Sequence, residues 1–107
     1  MSAKKIYVIC KYNQARSIVA SATLRNFFPE QEIVSAGVIA NEQIKIPTSI
    51  IKIMGDWGLE YFDQRSTPLK DLPEVAPSDL VLCADSEVLD SVKNWLHSQN
   101  YKNSQVY

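Results

Sequence analysis

Lys5-Ile6-Tyr7-Val8-Ile9-Cys10 is apolar almost without interruption and rich in β-branched and aromatic side chains. A strand with one wet face would alternate; a continuous apolar run needs cover on both faces and suits a parallel sheet. Parallel neighbours can be joined only by crossover segments, usually helices, and the rest of the chain supplies them. From Ser17 a helical period sets Ala20, Leu24, Phe27 and Phe28 on one face, and Pro29 stops it. Residues 32–38 read as a second strand and residues 39–46 as a loop. A helix then begins around Pro47, with Ile50, Ile53, Met54 and Trp57 inward and Gly58 as its stop. Residues 59–77 are irregular, with one turn expected near 72–76. Residues 79–85 read as a third strand, Ser86 as an N-cap, and Val88, Leu89, Val92, Trp95 and Leu96 as the inner face of a last helix. Ser104-Gln105-Val106-Tyr107 opens a fourth strand. The expected architecture is α/β: an open parallel sheet of about four strands, with helices on both faces and right-handed connections.

At 107 residues this is one domain. Eleven basic and 12 acidic side chains give a formal net charge of −1, which argues against nucleic acid or an anionic membrane as partner. No apolar run is long enough to span a bilayer, and the opening Met-Ser-Ala-Lys-Lys leads straight into a strand rather than a signal peptide. A cytoplasmic, reducing location is expected, in which Cys10 and Cys83 stay free to do chemistry. No cluster has metal-ligand spacing, so no metal or other cofactor is expected.

The chemistry concentrates in Cys10-Lys11-Tyr12-Asn13-Gln14-Ala15-Arg16-Ser17, which links the first strand to the first helix. Open α/β sheets bind ligands beyond the carboxyl ends of their strands, where Cys10 stands. A curled loop from Lys11 through Tyr12, Asn13, Gln14 and Ala15 to Arg16 can turn successive backbone N–H groups inward as an anion nest. The helix beginning near Ser17 adds unpaired N–H groups and the positive end of its dipole. Arg16 offers a planar fork that matches two phosphate oxygens. The same field favours the thiolate of Cys10, which stands at the floor of the cradle, aligned for attack on phosphorus. Ser17 can donate to that thiolate, and Asn13 tolerates the left-handed backbone a tight loop needs.

This loop and its surroundings resemble the low-molecular-weight protein tyrosine phosphatases, which carry a Cys-x5-Arg-Ser loop after the first strand. Ser35-Ala36-Gly37 matches a second family segment, Gln64-Arg65-Ser66 approximates a third, and Leu82-Cys83-Ala84-Asp85 a fourth. The resemblance runs over essentially the whole chain. It implies Cys10 as nucleophile, Arg16 as phosphate ligand, Ser17 as thiolate stabiliser, and Asn13 and Ser35 as supports of the loop. The implied activity is hydrolysis of phosphotyrosine or a small aryl phosphate, and the implied partner a phosphorylated protein or small phosphate ester.

The chain departs from the family at several points. Tyr12 replaces a glycine, Ala15 a cysteine, Ile18 a proline, and Gln64 a histidine of many members. The family's acid is an Asp-Pro aspartate, and no Asp-Pro occurs. Asp56, Asp63, Asp71, Asp79 and Asp90 read as helix-end, loop or surface charges, and Asp85 as an N-cap or a substitute acid. A chain lacking the family's last loop and helix is expected, truncated or completed by a partner chain in an oligomer. Cys83 reads as core packing or as a disulfide partner of Cys10. Tyr12, Tyr61 and Phe62 read as pocket wall or core, and His97 has no assigned role. Two other readings stand beside the phosphatase: an arsenate reductase, which would need further thiols beside Cys10, and a non-catalytic phosphate-binding module.

Overall fold

In the computed structural model, which describes residues 5–41, 43, 45–59, 66–72, 75–100 and 105–107, strands and helices alternate as expected. They are β1 (Lys5–Cys10), α1 (Arg16–Phe27), β2 (Glu32–Gly37), α2 (Thr48–Asp56), β3 (Leu80–Cys83) and α3 (Ser86–Ser98). The sheet is parallel, in the order β2-β1-β3, which makes the most apolar strand the central one. The expected fourth strand is reduced to a parallel bridge between Val81 and Val106. The Val81 N–H donates to the Gln105 carbonyl and the Tyr107 N–H to the Val81 carbonyl, both at 2.9 Å. Ser104 lies outside the described residues.

The pleat of β1 divides its side chains between two cores. Tyr7 and Ile9 join Val81, Val88, Val92 and Leu96 under α3. On the opposite face Ile18 and Ala22 of α1 pack with Ile46 and with Met54 of α2. Cover on the α1 side stops short of β3, where Val8, Ala20, Leu24 and Leu82 line an apolar cleft of about 310 Å³. No helix among the described residues is long and apolar enough to cross a membrane.

Several local expectations are corrected. The inner face of α1 carries Ser17, Ile18, Ser21 and Ala22, whereas Phe27 and Phe28 are exposed. The apolar residues of this helix are scattered, so periodicity could not set its rotation. Instead its rotation follows Ser17, which is hydrogen-bonded to the end of β1. In α2 only Met54 is buried; Ile53 and Trp57 face water, and Pro47 stands just before the helix. Gly58, at φ +69°, does terminate it. The irregular stretch makes a turn at Leu69–Asp71; of the turn expected near 72–76, residues 73 and 74 lie outside the described residues. Asp85, not Ser86, caps α3, accepting the Val88 N–H at 2.8 Å. Asp79 is a buried carboxylate, not a surface charge: it accepts the Lys5 N–H at 3.1 Å and the Ala76 N–H at 2.8 Å, pinning the start of β3 to the start of β1.

One glycine holds the chain open for the loop after β1. The Val38 N–H donates to the Cys10 carbonyl at 3.0 Å and the Ile39 N–H to the Lys11 carbonyl at 2.8 Å, drawing the end of β2 against that loop. A Cβ on Gly37 would stand 2.7 Å from both the Asn13 nitrogen and the Tyr12 carbonyl carbon. Both are backbone atoms, so something must shift. Gly37→Ala should therefore cost about 1–3 kcal/mol by overpacking, read from the urea midpoint. An unchanged midpoint would show that the close approach is relaxed in solution.

Candidate active site

Cys10 ends the central strand with 3% of its surface exposed, yet its sulfur does not sit in apolar packing. The Asn13 N–H donates to Sγ at 3.1 Å, and the Ser17 hydroxyl lies 3.0 Å away. Donation from Asn13 requires the loop to double back, and Asn13 does so at φ +55°, a region that asparagine enters more readily than most residues.

A chain of hydrogen bonds sets the direction of these contacts. The Thr67 N–H donates to Asn13 Oδ1 at 2.7 Å. A donor there requires the amide oxygen, so the NH₂ of Asn13 faces Ser17 and donates to its Oγ, also at 2.7 Å. Ser17 thus accepts from Asn13 and shares a second hydrogen bond with the Cys10 sulfur, in which either atom can donate. Two hydrogen bonds thus converge on Cys10, and three members of the relay, Asn13, Ser17 and Ser66, are at most 2% exposed. Buried polar groups need partners, and here each supplies the next.

The loop opens on the N-terminus of α1. That end has no side-chain cap and no acidic residue in its first turn, so its N–H groups and the positive end of its dipole remain available to an anion. Gln14 and Ala15 are half-buried in the loop wall. Tyr12 is 51% exposed at the mouth, beside the exposed Ile39 whose N–H holds the Lys11 carbonyl.

Arg16, the expected phosphate ligand, stands at the first position of α1. It is exposed, and its Nη1 donates to Asp85 Oδ2 at 2.9 Å. This bond raises the guanidinium further above its ordinary value, with a smaller contribution from the nearby Cys10. Asp85 is held below the usual carboxylate range, first by the Val88 N–H it caps and then by Arg16. The N-cap role expected of Asp85 is thus the one these contacts show. Lys11 leans to the same helix, 3.7 Å from Glu87 and 5.5 Å above the Tyr12 ring.

Ser35 is buried in β2, opposite Val8. Two members of the relay carry no role in the sequence reading: Ser66, whose hydroxyl donates to the Asn13 carbonyl at 3.0 Å, and Thr67. The signal available for them is the Thr67-Pro68 pair, since a residue before proline is held extended. Tyr61, Phe62, Asp63, Gln64 and Arg65 lie outside the described residues.

The family model described as low molecular weight phosphotyrosine protein phosphatase matches residues 5–106. A "Probable low molecular weight protein-tyrosine-phosphatase EpsP" from Ralstonia nicotianae is 32% identical over 82 residues, which are 77% of this chain and 56% of that protein. The tyrosine phosphatase Wzb from Escherichia coli, solved with sulphate, superposes with a TM-score of 0.71 at 27% identity, over 86% of this chain and 64% of its own. The YwlE arginine phosphatase from Geobacillus stearothermophilus gives 0.69 at 28%, over 92% and 64%. The chain thus spans less than two thirds of the length of these relatives.

Cys83 pairs in register with Ile9 and packs on the α3 side, whereas Cys10, one residue further along β1, meets Ser17 on the other. Both thiols are free, and the pleat separates them, so core packing is the role the structure gives Cys83. Burial pushes its thiol up to about 11, and Asp85 adds to the shift. At pH 7 its thiolate fraction is on the order of one in ten thousand. Iodoacetamide at pH 7 should leave Cys83 unmodified in the folded protein and modify it after denaturation, read by mass spectrometry; rapid folded-state labelling would contradict this placement. Asp85 gives a separate pH signature. Its folded value is depressed, so its contribution to stability is complete above the ordinary carboxylate value and lost as the pH falls through the folded one. The difference in thermal midpoint between wild type and Asp85→Ala should be constant from pH 7 to 5 and shrink below 4.

Proposed function

Because the chain belongs to the low molecular weight phosphotyrosine protein phosphatases, we propose that it hydrolyses phosphotyrosine or a small aryl phosphate through a covalent intermediate on Cys10. The observation that carries this reading is a strand-end sulfur that accepts the Asn13 N–H and is hydrogen-bonded to the Ser17 hydroxyl, at the foot of an uncapped helix N-terminus. Backbone N–H groups from Lys11 to Arg16 receive the phosphate oxygens, and Arg16 exchanges Asp85 for two of them. Asn13 and Ser35 hold the loop, and Ser17 stabilises the thiolate.

The reaction has two displacements. The Cys10 thiolate attacks phosphorus; the S–P bond forms, the P–O ester bond breaks, and the aryl oxide leaves with the electron pair. Water then attacks the same phosphorus, the S–P bond breaks, and inorganic phosphate departs as the thiolate is restored. Aryl oxides leave readily without a proton, so the first displacement runs best on aryl esters. The exposed Tyr12 and Ile39 at the mouth suit an aromatic leaving group. Arsenate reduction with Cys83 as second thiol is disfavoured, because that sulfur lies on the other face of the sheet.

The test is release of phosphate from p-nitrophenyl phosphate and from a phosphotyrosine peptide, with a phosphoarginine peptide in parallel because one structural relative acts on arginine. Cys10→Ser should fall to background, and Arg16→Ala should lose about a hundredfold or more in kcat/KM, the scale for removing one transition-state donor. Full activity in Cys10→Ser would overturn the mechanism. Phosphate binding without turnover would assign the chain to a non-catalytic module instead.

A further inference from the structure

The Ser66-Thr67-Pro68 segment stands 49 residues beyond Ser17 in the chain, yet it reaches the loop at its one left-handed residue. Three contacts join it to the site. The Ser66 hydroxyl donates to the Asn13 carbonyl at 3.0 Å, the Thr67 N–H donates to Asn13 Oδ1 at 2.7 Å, and the Thr67 carbonyl accepts the Gly37 N–H at 2.9 Å. Pro68 adds a parallel bridge to Gly37. An extended residue presents its N–H and C=O to the same side, and the following proline disfavours any other conformation for Thr67. Both groups of Thr67 are therefore aimed at once, one at the loop and one at the end of β2.

We propose that Ser66 is a positioning residue of this site, acting through Asn13, with Thr67-Pro68 as the rigid mount. A peptide unit is planar and trans, so its C=O and the next N–H point in opposite directions. Holding the Asn13 carbonyl toward Ser66 turns the Gln14 N–H away from Ser66, to the side of the loop that receives the anion. The same bond keeps Asn13 left-handed, which aims its own N–H at the Cys10 sulfur. Ser66 is 2% exposed, so without its hydroxyl the Asn13 carbonyl would be left buried without that partner and the peptide free to rotate. The inference rests on the anion-cradle reading but asks a different question: what keeps the cradle's N–H groups convergent.

The experiment compares wild type, Ser66→Ala, Ser66→Thr and Pro68→Ala. The readouts are p-nitrophenyl phosphate kinetics, inorganic phosphate binding by calorimetry, and thermal melting. Ser66→Ala should lower kcat at least tenfold and weaken phosphate severalfold, with KM moving less than kcat and the protein still fully folded at the assay temperature. Ser66→Thr, which keeps the hydroxyl, should recover most of kcat. Pro68→Ala should shift kcat and phosphate affinity in the same direction by less, and it decides the matter if Ser66→Ala does not fold. Unchanged kcat and phosphate affinity in Ser66→Ala would overturn the proposal, as would a loss that Ser66→Thr fails to recover while folded. If wild type binds phosphate without turnover, the phosphatase reading fails, and the phosphate affinities still decide the role of Ser66.

Discussion

A sulfur atom at the end of a buried strand is the constraint around which this molecule is arranged. Cys10 lies where an apolar packing partner would ordinarily stand, yet it accepts the Asn13 N–H and is hydrogen-bonded to the Ser17 hydroxyl. Each of those partners is itself buried and must be held, so the requirement passes outward from Ser17 to Asn13 and from Asn13 to Thr67 and Ser66. The chain of obligations ends where backbone takes over, at the Thr67 carbonyl and the Gly37 N–H. Buried polar networks are costly when half satisfied and rigid when complete. This one is complete along its length, which is what a preorganised anion site needs.

Elements that look like ordinary scaffold follow from the same constraint. The rotation of α1 is set by Ser17, so residues 17, 18, 21 and 22 face inward although two of them are serines. Phenylalanines near the end of that helix are left in water as a result. Gly37 has no side chain because the loop backbone occupies the space one would take. In both places a better hydrophobic solution was open to the sequence, and the geometry of the site excluded it.

That conflict explains what could be read from the residues alone. The parallel sheet and the alternation of strands and helices were legible, because a continuous apolar β1 permits few other arrangements. The candidate loop was legible from Cys10, Asn13, Arg16 and Ser17, of which Cys10, Asn13 and Ser17 are joined by hydrogen bonds in the structure. The inner face of α1 was not, because hydrophobic periodicity registers burial against carbon and is blind to a helix oriented by hydroxyls. Ser66 and Thr67 were missed for a related reason: their contribution passes through one hydroxyl and one backbone N–H, brought to the loop only by folding. Asp79 was misjudged because a carboxylate satisfied by two backbone N–H groups looks, in sequence, like any loop acid.

The rim carries the remaining consequence. Both cations of the loop are engaged by the start of α3, Arg16 with Asp85 and Lys11 with Glu87. Acidic residues belong at a helix N-terminus for reasons internal to the helix, and here that placement also sets them against the loop. Asp85 has two oxygens and two duties: one oxygen caps α3 through Val88, and the other holds Arg16. The Val88 cap is on Oδ1 and Arg16 is on Oδ2, so Arg16 can exchange Asp85 for another partner without loss of that cap. Exposed ion pairs of this kind contribute little to stability, so the exchange costs little, and the guanidinium waits close to Cys10 rather than being dispersed in solvent. The rigid part of the site is thus the buried relay beneath the sulfur, and the adjustable part is the solvent-facing pair above it.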